Sequence, residues 1–384
     1  MYKKYYQHFL KTNPEAQHYA SHSHHFWPDV SRAAQLQYWD DSAKFVDDKW
    51  DYIFSTKVPA VQKLIAANLN LSKPGQIVFA PNTHEFVTRL LSCFSMQKKI
   101  KILTTDSEFY SFDRQINRFQ EEGLIELVKV PAQPFTDFEN RFKEKIKSQD
   151  WDLIFFSQVF FNSGVAIENL GEIVKSVTNV KTLIAVDGYH GFMALPTDLK
   201  PFEERIFYIA GSYKYAQGGE GCCFMYAPPN SELRPLNTGW FAGFSNLAKD
   251  GGQVVYSNDG YRFAGSTMDF SALYRLESVL NLFKDEKISV ETIHAHVQKL
   301  QKNFIADIAT AKINAWLDAK NILQKNLNYH GHFLTFEIGS NETTKKLHDE
   351  FKAKNIKTDY RGSRWRFGFG LYQNDHIDLA KLKN

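Results

Sequence analysis

The sequence predicts an α/β protein in which a mostly parallel β-sheet is sandwiched by helices and a smaller α/β C-terminal domain follows. The first observation is a series of short apolar runs that alternate with amphipathic stretches, the order typical of parallel strands joined by helices. These runs are residues 77–79, 100–103, 125–130, 153–156, 183–186, 206–209 and 223–226. The second is the length of 384 residues, which is enough for a main domain and a smaller one.

The flanking segments predict helices at the N-terminal end and a mixed unit at the C-terminal end. Apolar residues recur at helical spacing between about residues 30 and 70. After about Ser271 the patterns predict a long helical stretch, a strand at 333–338, a helix near 343–354 and a strand at 365–369. We therefore expect an N-terminal helical arm grouped with the small domain (1–70), a large domain (71–270) and a small C-terminal domain (271–384).

The composition argues against several classes of protein. The 46 Lys and Arg residues are nearly balanced by 43 Asp and Glu residues. They form no basic block that would predict a nucleic-acid or membrane partner. Three cysteines, two of them adjacent, provide no framework of disulfides. The N-terminal residues lack the apolar core of a signal peptide, and no stretch approaches the roughly 20 apolar residues of a membrane span. We therefore expect a cytoplasmic protein.

Two polar residues at the ends of predicted strands carry the clearest chemical signal. Lys214 follows the apolar run 205–210 and precedes a Gly-rich stretch at 218–221, where the backbone can bend around a ligand. Asp187 follows the apolar run 181–186. An amine at the first position can form a Schiff base with pyridoxal phosphate (PLP), and a carboxylate at the second would keep the pyridine nitrogen protonated. Each residue alone would be an ordinary loop or turn residue, so the prediction depends on the pair.

Both segments resemble those of a known group of enzymes. Residues 212–221, Ser-Tyr-Lys-Tyr-Ala-Gln-Gly-Gly-Glu-Gly, are similar to the lysine segment of kynureninase, within the class V aminotransferase superfamily of PLP-dependent enzymes. Residues 187–191, Asp-Gly-Tyr-His-Gly, resemble that group's Asp-x-x-His/Gln segment. The resemblance implies the PLP-dependent transferase fold type I with PLP as the cofactor. It also implies that Tyr213 reaches the phosphate and that His190 lies near the ring hydroxyl or the phosphate.

The start of a helix is expected to bind the cofactor phosphate. Residues 81–85, Pro-Asn-Thr-His-Glu, follow a predicted strand and open a helix, where free N–H groups and the helix dipole favour an anion. Thr83 and His84 are the candidates; an ordinary helix cap without a ligand is the alternative. The family commonly places a small residue and then Thr here, so the hydroxyl contact of Thr83 departs from the pattern. Phe109 matches the residue that stacks on the ring, although an isolated aromatic there is more often a core residue.

Two further segments resemble those that a neighbouring subunit donates in fold type I enzymes. Residues 239–241, Gly-Trp-Phe, match kynureninase, and residues 263–267, Phe-Ala-Gly-Ser-Thr, match a segment that contacts the phosphate. The resemblance therefore implies a homodimer with shared active sites, to which Trp240, Ser266 and Thr267 contribute. Simple core packing is the alternative for Trp240.

An arginine near the C-terminal end is the candidate for the substrate carboxylate. Arg366 stands six residues before Tyr372, as does the group's carboxylate-binding arginine. A planar guanidinium can bind a carboxylate through two parallel hydrogen bonds. Arg361 and Arg364 are nearby alternatives, and a strand arginine paired with a surface acid is the structural alternative.

The resemblance leaves the reaction open between a transaminase and a kynureninase-like hydrolase acting on an α-amino acid. Residues 22–28 sit where kynureninase has an N-terminal substrate-binding run, so Ser23 and His24 are candidate substrate contacts. Thr267, however, replaces an Asn of kynureninase. A cysteine desulfurase is disfavoured because no Cys follows Cys223. A metal site at the histidines near residue 24 is disfavoured because acidic or Cys companions are missing. A PLP-binding regulatory or structural homologue without turnover is the alternative from another class.

Overall fold

The computed structural model describes residues 2–95, 97–249, 252–324, 326 and 329–378, without the side chains of residues 245–249. Its centre is a seven-stranded sheet with the order β2-β8-β7-β6-β5-β3-β4. The strands are β2 (Ile77–Ala80), β3 (Ile100–Thr105), β4 (Ile125–Val130), β5 (Leu153–Ser157), β6 (Leu183–Asp187), β7 (Ile206–Gly211) and β8 (Cys223–Tyr226); β1 is Gln17–His18. All seven predicted apolar runs form these strands.

The sheet is mostly parallel, as the alternation of strands and helices predicts. Strands β4, β3, β5, β6 and β7 are parallel neighbours, and only β8 runs antiparallel to the strands on both of its sides. The residues of β5 and β7 are all buried, because helices cover both faces of a parallel sheet. At the edge strand β4, by contrast, Glu126 is exposed.

Helices flank the sheet and form the N-terminal arm. The described helices are α1 (Gln7–Thr12), α2 (Val30–Phe45), α3 (Lys49–Tyr52), α4 (Val58–Leu69), α5 (Thr83–Leu91), α6 (Tyr110–Glu121), α7 (Phe138–Lys147), α8 (Leu170–Ser176), α9 (Ser271–Asp285), α10 (Val290–Ala311) and α11 (Asn341–Ala353). The amphipathic helix α6 buries Phe112 and Ile116, and the ring of Phe112 stacks on Phe155 of β5 at 3.7 Å. The long helical stretch expected after Ser271 is two helices, α9 and α10.

The C-terminal residues form a second, antiparallel sheet. Its order is β11-β12-β9, with β9 (Phe333–Glu337), β11 (Asp359–Arg361) and β12 (Arg364–Gly368). Helix α11 packs against β11 and β12, and Trp365 is fully buried beneath it. The short strand β10 (Ile356–Lys357) pairs in parallel with β1, so the N-terminal segment is anchored to this unit.

Two main apolar clusters correspond broadly to a large and a small unit. The larger cluster contains residues of the seven-stranded sheet together with α4 and α9. The smaller one contains residues of α10, β9, α11 and β12. The division at residues 70 and 270 stays a prediction. Residues of α4 and α9 belong to the larger cluster, and α9 packs against both α2 and α4.

The topology fixes where polar residues meet. Because β3, β5, β6 and β7 are parallel, their carboxyl ends lie at one edge of the sheet, and ligands of open α/β sheets bind outside that edge. Ser157 and Asp187 are direct partners in the β5–β6 register. Within the described residues, no helix is both long enough and apolar enough to cross a bilayer.

Candidate active site

A cavity of about 200 Å³ opens at the carboxyl edge of the sheet. It brings together six of the residues expected from the sequence, namely Thr83, Phe109, Asp187, His190, Tyr213 and Lys214. Its wall also contains Pro81, Asn82, Ser111, Ser157, Val159, Phe161, Tyr189, Glu220 and Gly221. The wall therefore combines an amine, a carboxylate and aromatic rings.

Lys214 is the buried amine of this cavity. It follows β7 and is 9% exposed, and its Nζ donates a hydrogen bond to the carbonyl oxygen of His22 at 2.9 Å. Burial, and after it the positive charge of Arg366, lowers the pKa of Lys214 to about 7, against the opposing charges of Asp359 and Asp187. The amine is therefore substantially neutral near neutral pH, which is the form that attacks a carbonyl.

Asp187 is the carboxylate of the same cavity. It ends β6 and is 7% exposed, and its Oδ1 accepts the backbone N–H of Tyr189 at 2.9 Å. Burial raises the pKa of Asp187 to about 6, although the Tyr189 hydrogen bond and the charge of Lys214 oppose the rise. A positively charged group bound in the cavity would therefore stabilise the ionised carboxylate.

Glu108 is a second buried acid that the sequence reasoning missed. Its carboxylate accepts hydrogen bonds from Thr105 Oγ1 at 2.6 Å, from Ser157 Oγ at 2.5 Å and from the Ser157 N–H at 3.2 Å. Burial raises the pKa of Glu108 to about 8, and the nearby Asp187 adds to the rise. Glu108 thus holds Ser157 in the cavity wall. The sequence held one sign of this contact, because Ser157 is a polar residue at the end of an apolar run, as Asp187 is.

The start of α5 presents backbone donors to the cavity region. Asn82 caps the helix, and its side chain accepts the N–H of Glu85. The preceding N–H groups of Thr83 and His84 have no acceptor within the helix, since the first helical donors have no partner one turn earlier. Thr83 lines the cavity and its hydroxyl lies 3.8 Å from Cys223 Sγ. The His84 side chain is exposed and does not line the cavity, so only its backbone is placed for binding.

Three ring residues line the cavity together with the amine. Lys214 Nζ lies 5.9 Å from the ring centre of Phe109 and 5.3 Å from that of Tyr213. Phe109 is 36% exposed and contacts Phe161 edge-on at 5.3 Å, so it is not a core residue. His190 is buried, and its Nδ1 has no hydrogen-bond partner in the described part of the chain.

The Gly-rich stretch after Lys214 is held by an arginine from α9. Gly219 and Gly221 have positive φ angles of 73° and 100°, which glycine adopts without strain. Arg275 donates Nε to the carbonyl of Gly218 at 2.7 Å and Nη2 to that of Glu220 at 2.5 Å. This clamp fixes the backbone that forms one wall of the cavity.

The N-terminal segment lies over the amine. The carbonyl of His22 accepts Lys214. His24 Nδ1 lies 3.6 Å from Glu220 Oε1, and its ring meets Tyr213 edge-on at 6.0 Å. His24 therefore lies next to two residues of the cavity wall, but neither His24 nor the partly buried Ser23 lines the cavity itself.

Arg366 is buried beside the cavity and is already paired. It is 3% exposed. Its Nη1 donates to the carbonyl of Phe161 in the cavity wall, and its Nη2 donates to Asp359 Oδ2. Arg361 Nη1 donates to Asp359 Oδ1 at 2.8 Å. Arg364 points elsewhere, to Glu337 at 3.4 Å. Asp359 was not anticipated, because nothing in the sequence indicates that β11 pairs with β12.

Trp240, Ser266 and Thr267 do not line the cavity of their own chain. Trp240 Nε1 donates to Thr267 Oγ1 at 3.3 Å. Segments 239–241 and 263–267 pack closely against each other, since a Cβ on Gly239 would lie 2.3 Å from the carbonyl oxygen of Gly265. Ser266 and Thr267 are exposed.

The family follows from a comparison with known proteins. Residues 27–343 match the family model described as aminotransferase class V. Since this match spans most of the chain, the protein belongs to the class V aminotransferase family, and the expected fold class is confirmed. A search of curated protein sequences found no match.

Solved structures with the same fold are similar over almost their whole length. A mutant of C-DES with glycine covalently linked to its PLP cofactor has a TM-score of 0.79 at 14% identity, covering 98% of this chain and 97% of that one. The apo cysteine desulfurase of Thermococcus onnurineus NA1 has a TM-score of 0.75 at 16% identity, covering 98% and 95%. The cysteine desulfurase CsdA of Escherichia coli has a TM-score of 0.75 at 14% identity, covering 97% and 95%. At these identities the likeness establishes the fold.

Proposed function

We propose that this protein is a PLP-dependent enzyme that acts on an α-amino acid, as a transaminase or a kynureninase-like hydrolase. The observation that carries the proposal is the placement of Lys214 and Asp187 on one small cavity, with the pKa of Lys214 lowered to about 7 and that of Asp187 raised to about 6. Opposed shifts in neighbouring groups are typical of functional sites.

The residues present fit PLP. Lys214 supplies an amine for the aldehyde, and Asp187 supplies a carboxylate for the ring nitrogen. The unpartnered buried Nδ1 of His190 could be satisfied by a polar group of the ring or phosphate. The free N–H groups at the start of α5 suit a phosphate dianion. When bound, the cofactor supplies an electron sink for a carbanion at Cα.

The chain's own residues would then act as follows. Asp187 would stabilise a protonated ring nitrogen, because an ionised carboxylate in a buried site favours a cationic partner. Phe109 would cover one face of the ring without competing for its polar edge. Lys214 Nζ would serve as the base that takes a proton from the substrate Cα, since a pKa lowered to about 7 leaves much of the amine neutral near pH 7. Water is limited because both Lys214 and Asp187 are buried.

The structural relatives described as desulfurases raise the question of that activity here. A desulfurase of this kind is expected to use a nucleophilic Cys near the C-terminal end, and no Cys follows Cys223. Burial raises the pKa of Cys93 and of Cys222 to about 12, and Cys223 shifts in the same direction. A thiol with a raised pKa is a poor nucleophile. We therefore keep the amino-acid transaminase or hydrolase as the proposal.

The kynureninase-like alternative is supported by sequence and by one contact. His22, in the run that resembles the N-terminal substrate-binding segment, accepts the Lys214 amine through its carbonyl. Thr267 in place of Asn counts against kynurenine itself. The shared-site homodimer is also part of the proposal, and the exposure of Ser266 and Thr267 outside their own cavity supports it.

A screen of single substrates tests the function. PLP-loaded protein is mixed with each amino acid, including kynurenine and cystine, while the cofactor absorbance is followed and the products are identified by mass. Transfer of the amino group to an added keto acid supports the transaminase. Formation of alanine and an aryl acid from kynurenine supports the hydrolase. An absorbance that no amino acid perturbs supports a homologue without turnover and contradicts the proposal; Lys214→Ala is the matched control.

A further inference from the structure

Asp359 accepts hydrogen bonds from two arginines, Arg361 and Arg366, next to the cavity. It lies opposite Arg366 in the β11–β12 register. Its Oδ2 accepts Arg366 Nη2, its Oδ1 accepts Arg361 Nη1 at 2.8 Å, and His22 Nε2 lies 3.5 Å from Oδ2. One carboxylate therefore serves two guanidinium groups.

The protonation states of this cluster follow from its surroundings. Burial alone would raise the pKa of Asp359, but the nearby His22 ring and the charges of Arg366 and Arg361 hold that pKa below its usual value. Burial and the charge of Arg366 lower the pKa of His22 to about 3, so His22 is neutral. The two guanidinium groups and one carboxylate thus carry a net charge of one positive unit near neutral pH.

The cluster is placed to receive one more anion. Arg366 Nη1 is bonded to the carbonyl of Phe161, a residue of the cavity wall. Arg366 Nε is buried without a hydrogen-bond partner in the described part of the chain. A buried guanidinium N–H without an acceptor favours an incoming carboxylate.

We propose that Asp359 determines the substrate class, by limiting the site to amino acids with a single carboxylate and excluding dicarboxylates. This inference rests on the proposed function. A first carboxylate neutralises the remaining positive charge by binding Arg366. The second carboxylate of a dicarboxylate would need Arg361, whose charge Asp359 already offsets. That second carboxylate would also be repelled by the negative charge of Asp359.

The experiment measures anion binding and needs no turnover. Butyrate and succinate, which have no amino group, are titrated into PLP-loaded protein by calorimetry. We expect the wild type to bind butyrate more tightly than succinate. In Asp359→Asn the ratio of the two dissociation constants should shift toward succinate by roughly tenfold or more, since a freed guanidinium gains a charge-assisted hydrogen bond.

Glu337→Gln is the matched control, because Glu337 neutralises Arg364 in the same sheet at 3.4 Å. It should leave the ratio unchanged. An unchanged ratio in Asp359→Asn overturns the proposal, as does an equal shift in both variants. Should Asp359→Asn fail to fold, Arg361→Gln, at a 40% exposed side chain, replaces it. This second variant is expected to weaken both anions, and wild-type binding of both would overturn the proposal.

The outcome is distinguishable from failure of the proposed function. Protein that does not take up PLP, or whose cofactor absorbance no amino acid perturbs, contradicts the proposed function. Protein that turns over an amino acid yet keeps its butyrate-to-succinate ratio in Asp359→Asn contradicts only the role of Asp359.

Discussion

Replacing Asp187 by Asn should stabilise the cofactor-free protein. The pKa of this carboxyl is raised from 3.8 to about 6 because the group is buried. A group whose pKa is higher in the folded state contributes stability at low pH, and that contribution is lost as pH rises through about 6. The raised pKa of Asp187 therefore makes the free energy of unfolding about 3 kcal/mol lower at pH 8 than at acid pH.

Asn removes this cost while keeping the local hydrogen bond. Its amide oxygen can still accept the N–H of Tyr189, as Asp187 Oδ1 does at 2.9 Å. We therefore expect cofactor-free Asp187→Asn to exceed the wild type in free energy of unfolding at pH 8, by up to about 3 kcal/mol. The advantage should narrow toward pH 5, where the wild-type carboxyl is largely protonated in the folded state. Turnover should fall strongly in the variant, although the covalent and phosphate anchors keep the cofactor bound.

Urea unfolding of the cofactor-free proteins between pH 5 and 8 measures the difference. Asp40→Asn, at an exposed carboxylate of α2, is the control and should change stability by less than about 0.5 kcal/mol. PLP should then add less stability to Asp187→Asn than to the wild type, since its ring nitrogen loses an ionic partner. An Asp187→Asn protein less stable than the wild type at pH 8 would contradict this prediction, as would equal stabilisation of both proteins by PLP with full turnover retained.

Three further outcomes are expected. The rate at which added PLP attaches to cofactor-free protein should rise from pH 6 to 8 and then level off, because the pKa of Lys214 is about 7; stopped-flow absorbance measures it, and a rise that continues to pH 10 contradicts it. Co-expressed Lys214→Ala and Trp240→Ala/Ser266→Ala/Thr267→Ala chains should recover one good site per heterodimer, and an inactive heterodimer of folded chains contradicts shared sites. Arg275→Ala should destabilise the protein by about 2–3 kcal/mol in urea unfolding, because two carbonyls lose their donor; stability within 0.5 kcal/mol of the wild type contradicts the clamp.

The sheet could be predicted from the sequence because each of its strands is a short apolar run bounded by polar or Gly-rich residues. Burial on both faces leaves a continuous apolar signal, as in β5 and β7. The ends of these strands also locate Asp187 and Lys214 without knowledge of the fold, since parallel strands bring their carboxyl ends to one edge.

Contacts between residues that are far apart in the chain could not be predicted from the sequence. Asp359 meets Arg366 only because β11 and β12 pair antiparallel, and short strands such as these carry little periodicity. Glu108 was missed because its three hydrogen bonds link two strand ends, and the contact between those ends depends on the order of strands in the sheet. The N-terminal segment contacts Lys214 through the backbone carbonyl of His22. Any residue type has such a carbonyl, so the sequence does not indicate this contact.

Identification of the lysine that binds PLP covalently tests whether Lys214 marks the active site. Protein loaded with PLP is reduced with borohydride, digested and mapped by mass spectrometry, with Lys214→Ala treated in parallel. We expect one modified peptide, carrying the label on Lys214, and its loss in the variant. Labelling of another lysine, or equal labelling of the Lys214→Ala protein, would contradict the assignment of this cavity as the active site.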